Sequence, residues 1–338
     1  MRAIGYKKSL PVEDSNSLLD ITVDDPKPEE NDLLIKVKAI AVNPVDTKIR
    51  MRMAPESGHK IIGWDAVGEV ISMGDKVTGF EPGDRVWYAG DLTRPGCNAQ
   101  KQVVDHRIVG KAPDNLDDCQ AAALPLTSIT AWEVLFDRLQ IDKTSAHKKR
   151  TLLVIGGAGG VGSILIQLAA QLTDATIIAT ASRAESQQWV KALGADHVIN
   201  HYDDLAEQIE STGSDPVTDV ACLTHSEQYF AQCMKFMAPQ GRFCLIDDPA
   251  ENIDITLMKQ KSISLHWEFM FTRSMFNTDD MIKQQELLNR ISEMVEKGQI
   301  RSTLGKTFGE MNAENLRKAH EAIESQKTIG KIALTVTE

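Results

Sequence analysis

The sequence predicts an α/β protein of two parts, a β-rich unit and a doubly wound parallel sheet, closed by a short C-terminal return segment. Three observations predict it. Residues 1–110 carry short strand patterns broken by Gly and Pro, the texture of a compact and mostly antiparallel β unit. From residue 151 apolar strands alternate with helical segments, which implies βαβ units and a parallel sheet. Between the first of those strands and the first helix stands VIGGAGGVG, a glycine-rich turn where such sheets bind phosphate.

In chain order, the β unit contains DLLIKVKAIAV (32–42), AVGEVISMG (66–74) and DRVWYAG (84–90). After residue 42 the chain turns at Asn43-Pro44 and presents Asp46, Lys48 and Arg50 in quick succession. Asn-Pro is a turn signal, and alternating cations beyond it read by default as a solvated face. From about Ala121 the texture changes, and CQAAALPLTSITAWEVLFDRL reads as two helical pieces separated by a Pro-containing turn. The parallel sheet follows with strands TLLVIGG (151–157), ATIIATAS (175–182), DHVIN (196–200), VTDVACLT (217–224) and GRFCLIDD (241–248), and helices at 162–172 and 184–194. SISLHWEFMF (262–271) is the last strand of that sheet or its edge, and unpaired edges need cover. A long amphipathic helix at 279–298 ends in Gly298, and the tail closes with the helix NAENLRKAHEAIES and the strand GKIALTV.

The bulk numbers set outer limits on function. A chain of 338 residues suffices for two domains and sizeable cores. A formal net charge of −11 argues against nucleic acid or an anionic membrane as the main partner. No apolar run is long enough to span a bilayer, and MRAIGYKKSLPVEDSNS has no apolar core of a secretory signal. The cysteines Cys97, Cys119, Cys222, Cys233 and Cys244 form no CxxC pair and are odd in number, which fits free thiols in a reducing cytoplasm.

Within VIGGAGGVG, Gly157, Gly159 and Gly162 give GxGxxG directly between strand and helix, with Gly160 and Val161 inside the turn. The first glycine permits the tight turn, the second lets backbone N–H groups meet a pyrophosphate, and the third lets the helix pack on the strand. The pyrophosphate then faces the positive end of the helix dipole. NAD sites place a carboxylate near the end of the second strand to hold the ribose 2′-hydroxyl. Here that strand ends in ATASRAES, with Thr180, Ser182 and Arg183 at its tip. Ser182 and Arg183 can hydrogen-bond and neutralise a 2′-phosphate, so the sequence predicts NADPH rather than NADH. Thr224 and His225 follow a parallel strand at its C-terminal end, where open α/β sheets bind ligands.

AVNPVDTKIR, IIGWDAVGEV, FEPGDRVWYAG, GGAGGVGS, LGADHVIN and the terminal GKIAL together resemble the medium-chain dehydrogenase/reductase superfamily over essentially the whole chain. Within it the sequence is similar to the quinone oxidoreductase branch, and through YAGDLTRPGCNAQKQVVD and FMFTRSMF to its zinc-type alcohol dehydrogenase-like group. The resemblance implies a GroES-like catalytic domain over residues 1–124, completed by 273–338, and a Rossmann NADPH-binding domain over 125–272. It implies a homodimer joined at the edges of two Rossmann sheets, with SISLHWEFM as that edge. It sets Thr127 and Thr130 beside the nicotinamide and Lys331 near the cofactor. Helix N-capping is the alternative for the two threonines.

Zinc members of the superfamily supply a Cys after the first long strand and a His in a Gly-His-Glu motif. Here those positions read Asn43 and Gly63-Trp64-Asp65, and residues 88–110 hold one cysteine, Cys97, in place of a four-cysteine lobe. Indole cannot ligate zinc and a neutral amide is a poor ligand, so no zinc is expected at either site; His59 reads as a solvated loop histidine rather than a stray ligand. Without a Lewis acid, alcohol oxidation is hard, while reduction of a quinone or of the C=C bond of an α,β-unsaturated carbonyl stays feasible. Both put negative charge on an oxygen that needs a donor. Asn43 and Lys48 are the candidate catalytic donors, with Asp46 orienting the segment or pairing with Lys48 or Arg50. Trp64, Trp267, Met270 and Phe271 are candidates for an apolar substrate wall, although such residues also serve as core or subunit interface. The expected function is a zinc-independent NADPH-dependent reductase of quinones or enones. The alternatives are an NADPH-holding sensor or structural protein with vestigial catalysis, and a zinc-dependent alcohol dehydrogenase.

Overall fold

A computed structural model describes residues 1–141 and 150–337. The chain forms two compact units, Met1–Ile129 with Phe271–Glu338, and Thr130–Met270.

In the first unit the strand Asp32–Val42 is the organising element. Its N-terminal half alternates, with Leu33, Ile35 and Val37 buried and Leu34, Lys36 and Lys38 half out. Its second half, Ala39–Val42, is buried on both faces, as a strand in mid-sheet must be. It pairs antiparallel with Ala66–Met73, Lys101–Asp105 and Lys331–Thr335. Among the described residues the sheet runs Leu304–Glu310, Lys331–Thr335, Asp32–Val42, Ala66–Met73, Arg85–Tyr88 and Val109–Lys111. A smaller sheet joins Leu19–Thr22, Arg2–Tyr6 and Lys60–Ile61. The register opposite Val42 is Ile332, so the residue before it, Lys331, lies beside the point where the long strand ends at Asn43.

The expected polar turn after that strand is a helix, Pro44–Arg52. The physical reason is its start. Asn43 is the extended N-cap, Pro44 occupies the first helical position where a missing N–H costs nothing, and the Asp46 carboxylate accepts the Asn43 N–H at 2.7 Å. Arg50, expected on a solvated face, is fully buried and ion-paired with Glu324 of the Ala313–Glu324 helix.

The second unit is a parallel sheet in the order His197–Ile199, Thr176–Thr180, Thr151–Ile155, Asp219–Cys222, Arg242–Leu245 and Ser264–Trp267. Thr151–Ile155 is buried at every position because helices cover both faces. The order reverses at this strand, so the crevice at its C-terminal end is the topological switch point. One core joins Leu153, Ile155, Ile178, Val220 and Phe243 of the sheet to Phe230 and Met234, with Phe230 and Phe243 packed edge to face at 5.2 Å. Those last two helical residues lie in Ser226–Phe236, a crossover helix that strand patterning alone did not announce. The last strand, Ser264–Trp267, is shorter than the expected apolar run 262–271, and a short helix, Thr272–Met275, follows it.

Candidate functional site

The candidate cofactor site, in the second unit, is the turn between Thr151–Ile155 and the helix Gly160–Leu172. The helix is apolar nearly all round and buried from Gly162 to Ala169, so it must lie close on the sheet. Gly162 makes that possible. A Cβ there would sit 2.5 Å from the Gly156 carbonyl oxygen and 2.6 Å from that of Gly157. The left-handed conformation of the turn falls on Gly156, with φ of +87°, rather than on Gly157. The sequence reading passed over Gly156, although the doubled glycine after Ile155 was its signal. Thr180, expected at the tip of the second strand, accepts the Gly156 N–H on its hydroxyl at 3.0 Å and the Gly157 N–H on its carbonyl. Gly159 caps the helix, and a Cβ on it would meet only the Gly156 carbonyl oxygen, at 3.5 Å. Gly160 and Val161 are partly exposed in its first turn. The turn therefore presents uncapped helix N–H groups with room for a close approach, the fit that a dinucleotide pyrophosphate requires.

Thr224 packs against this turn, its methyl 3.2 Å from where a Gly156 Cβ would be. Its hydroxyl bonds the His225 ring at 2.7 Å, and His225 adopts a left-handed φ of 49° at the start of Ser226–Phe236. Ser182 is half-buried, and Arg183 is exposed at the N-cap of Ala184–Ala192. Trp267 is 53 % exposed on the edge strand, with Phe269 exposed beyond it and Met270 buried.

The first unit holds a buried polar network of its own. The Lys331 ammonium, 2 % exposed at the residue level, donates to the Val42 carbonyl at 3.1 Å, to Asp65 Oδ2 at 2.8 Å and to Asn43 Oδ1. Those three bonds use all three of its N–H groups. Asn43 Nδ2 donates to the Trp64 carbonyl at 3.2 Å and to Asp65 Oδ2 at 3.1 Å. Asp65 Oδ1 accepts the Leu126 N–H at 2.8 Å, at the start of the helix Pro125–Trp132. Burial raises the Asp65 carboxyl, and the Lys331 ammonium is the largest opposing influence. Every polar contact of this carboxyl is with a donor, which an ionised, acceptor-only carboxylate meets in full. Asp46, pushed up to about 7 by burial, is in the same field, and its Oδ1 has no hydrogen-bond partner among the described residues. The Cys97 thiol donates to the Asp65 carbonyl at 3.4 Å and is held protonated by burial.

This geometry alters several expectations. Asn43 was expected to donate to a substrate oxygen, but both its N–H groups are engaged internally. Lys331 was expected at the cofactor, but its ammonium is saturated by Val42, Asn43 and Asp65. Asp46 pairs with the Asn43 backbone rather than with Lys48 or Arg50. Trp64 is fully buried, donates its indole N–H to the Asp91 carbonyl at 3.2 Å, and meets the Phe271 ring edge-on at 6.2 Å. Phe271 is itself 2 % exposed, so the two form core with each other rather than an open wall. Thr127 is buried and donates to the Leu124 carbonyl, and Thr130 is buried on the same helix. Lys48 is half-buried on Pro44–Arg52.

Family profiles match residues 29–114 as an alcohol dehydrogenase GroES-like domain and residues 193–334 as a zinc-binding dehydrogenase. A zinc-type alcohol dehydrogenase-like protein of Staphylococcus epidermidis is 39 % identical over 337 residues, covering 99 % of this chain and 100 % of the relative. A solved structure from Rhizobium etli, described as a zinc-dependent alcohol dehydrogenase, shares 49 % identity at a TM-score of 0.97, covering 100 % of this chain and 98 % of that one. The quinone oxidoreductase of Coxiella burnetii shares 26 % identity at a TM-score of 0.82, covering 100 % and 99 %.

The zinc in those descriptions does not fit this donor set. Of the two ligand positions, one holds an amide whose oxygen accepts from an ammonium, and the other an indole turned into core. Asp65 is ion-paired with Lys331, whose positive charge lies among these side chains and opposes a second cation. His59 is exposed, and among the described residues no group of three or more His, Cys, Asp or Glu is arranged to hold a metal. Nor, among the described residues, is any helix long and apolar enough to cross a membrane.

Proposed function

This chain belongs to the medium-chain dehydrogenase/reductase superfamily, in its zinc-type alcohol dehydrogenase-like group, and from that premise we propose a zinc-independent, NADPH-dependent reductase of quinones or α,β-unsaturated carbonyls. The observation that carries the reading is the Lys331–Asp65–Asn43 network, an internal ammonium among the side chains where zinc relatives place ligands. When bound, NADPH supplies the hydride. The turn from Gly156 to Gly162 holds the pyrophosphate through its N–H groups, and Ser182 and Arg183 take the 2′-phosphate. Negative charge appears on the carbonyl-derived oxygen of the acceptor, and a donor must meet it there. With Asn43 engaged, Lys48 is the residue assigned that role, and Asn43 becomes a positioning residue. Trp267, exposed on the sheet edge, belongs in this reading to a homodimer interface.

A second reading is favoured by the engagement of the Asn43 and Lys331 donors: a protein that binds NADPH and turns over slowly. One substitution separates the two. Replacing Lys48 by Ala is expected to lower kcat about tenfold or more with NADPH affinity unchanged. Unchanged kcat would leave Lys48 a bystander. The general test is NADPH consumption against a panel of quinones, enals and simple alcohols with metal analysis of the same sample.

A further inference from the structure

We infer that Lys331 is a positioning residue whose ammonium keeps Asp65 ionised, and that the ionised Asp65 fixes both the Asn43 segment and the start of the Pro125–Trp132 helix. The inference deepens the reading above, because the Asn43 segment is the N-terminus of the helix that carries Lys48. Four observations carry it. The ammonium donates to the Asp65 carboxylate at 2.8 Å in a site where both residues are at most 2 % exposed. One oxygen of that carboxylate accepts from Lys331 and from Asn43, and the other from the Leu126 N–H at 2.8 Å. The Asn43 oxygen is held by Lys331, which leaves its Nδ2 directed at Trp64 and Asp65. Finally, the register that sets Ile332 opposite Val42 makes the ammonium's reach a consequence of strand pairing rather than of a flexible tail.

The charges around the ammonium show why this is more than packing. Asp65 and Asp46 face it from the two segments it touches or adjoins, and Cys97 is close to both carboxyls. A neutral side chain at 331 leaves the Asp65 carboxylate buried without its counter-ion. It must then take up a proton or admit water, and a protonated carboxyl cannot accept from Leu126 and Asn43 on both oxygens as the carboxylate does. Removing the Asp65 charge as well restores neutrality, and the amide then at 65 can keep its oxygen on the Leu126 N–H while its N–H group donates to the Asn43 oxygen that Lys331 no longer holds. Rescue of one lesion by the other is the signature of a charge role, and filling of space does not produce it.

The test uses the full chain with Lys331→Met, Lys331→Arg, Asp65→Asn and the Lys331→Met/Asp65→Asn double variant. Three readouts are taken: NADPH dissociation constant, kcat with menadione, and hydrogen exchange of the Leu126 amide. For Lys331→Met the expectation is exchange at Leu126 faster by about a hundredfold and kcat lower by about tenfold, with NADPH affinity within about twofold of wild type. Lys331→Arg and the double variant are expected to recover most of the lost protection. Should Lys331→Met fail to fold, a folded double variant supports the proposal, and two unfolded proteins overturn it. A double variant no better protected than Lys331→Met overturns it also. So does a tenfold or greater loss of NADPH affinity in Lys331→Met, which returns the ammonium to the cofactor. If wild type turns over no acceptor, the reductase reading fails, and the Leu126 exchange still decides the role of Lys331.

Discussion

His320 is fully buried on the Ala313–Glu324 helix, and neither ring nitrogen has a hydrogen-bond partner among the described residues. Burial, reinforced by the Arg50 guanidinium, pulls its pKa down to about 3. The folded protein therefore holds this ring neutral where the unfolded chain protonates it, near 6.5. Between those values the unfolded state binds more protons, so stability falls as pH drops from about 6.5 toward 3, by up to about 1.4 kcal/mol per unit. His320→Leu is expected to flatten that slope in thermal melts taken at pH 5 and pH 7, and an unchanged slope would place the acid sensitivity elsewhere. The same scale shows what a sequence reveals and what it hides. Asn43 and the Gly63-Trp64-Asp65 stretch stood out by their departure from ligand chemistry. That Asn43 caps a helix was readable from Pro44 at the first position and Asp46 at the third. That its amide is fully engaged was not readable, because Lys331 lies 288 residues away and is brought there by strand register.

At the scale of elements, the phosphate turn was legible because its constraint is local. Strand, glycines and helix are contiguous, and Gly159 and Gly162 answer to carbonyl groups a few residues back, at Gly156 and Gly157. Gly162→Ala places a methyl 2.5 Å from the Gly156 carbonyl oxygen. It is expected to cost about 1–3 kcal/mol of stability and to weaken NADPH binding at least about tenfold, both readable by titration with and without cofactor. The end of the last parallel strand was less legible. Glu268 follows Ser264–Trp267, is 2 % exposed, and stands 2.8 Å from the Nε of Arg138 in the π-helical turn Glu133–Arg138. Burial, then the adjacent Glu133, pushes its pKa up to about 10, against the pull of Arg138. A carboxyl raised in the folded state binds more protons there than in the unfolded chain. Stability is thus lost as pH rises from the ordinary carboxylate range toward 10. Glu268→Gln is expected to remove most of the stability lost between pH 7 and pH 9, measured by hydrogen exchange in residues 130–270; equal slopes in both proteins would contradict it.

For the whole molecule, a β-rich part followed by a parallel-sheet part was legible from texture, since alternation of strand and helix leaves few topologies, while the GroES-like character of the β-rich part came from the family resemblance. The crossover helices Leu205–Ser211 and Ser226–Phe236 were missed because the strands were the stronger apolar signal. Cofactor choice is a property of charge at this scale. On a chain of net charge −11, the tip of the second parallel strand carries Ser182 and Arg183 and no carboxylate. Arg183→Ala is expected to weaken NADPH binding by about 1–3 kcal/mol while leaving NADH nearly unchanged, and an equal loss for both would remove Arg183 from the 2′-phosphate. The central claim, reduction by an internal ammonium-centred site without zinc, is tested most directly by one assay. Protein stripped of metal by chelation is given NADPH and menadione, and its turnover is measured beside its metal content. The account predicts full activity at less than about a tenth of a zinc per chain, with no gain on adding zinc. Activity that appears only with one zinc per chain, and then oxidises simple alcohols, would contradict it.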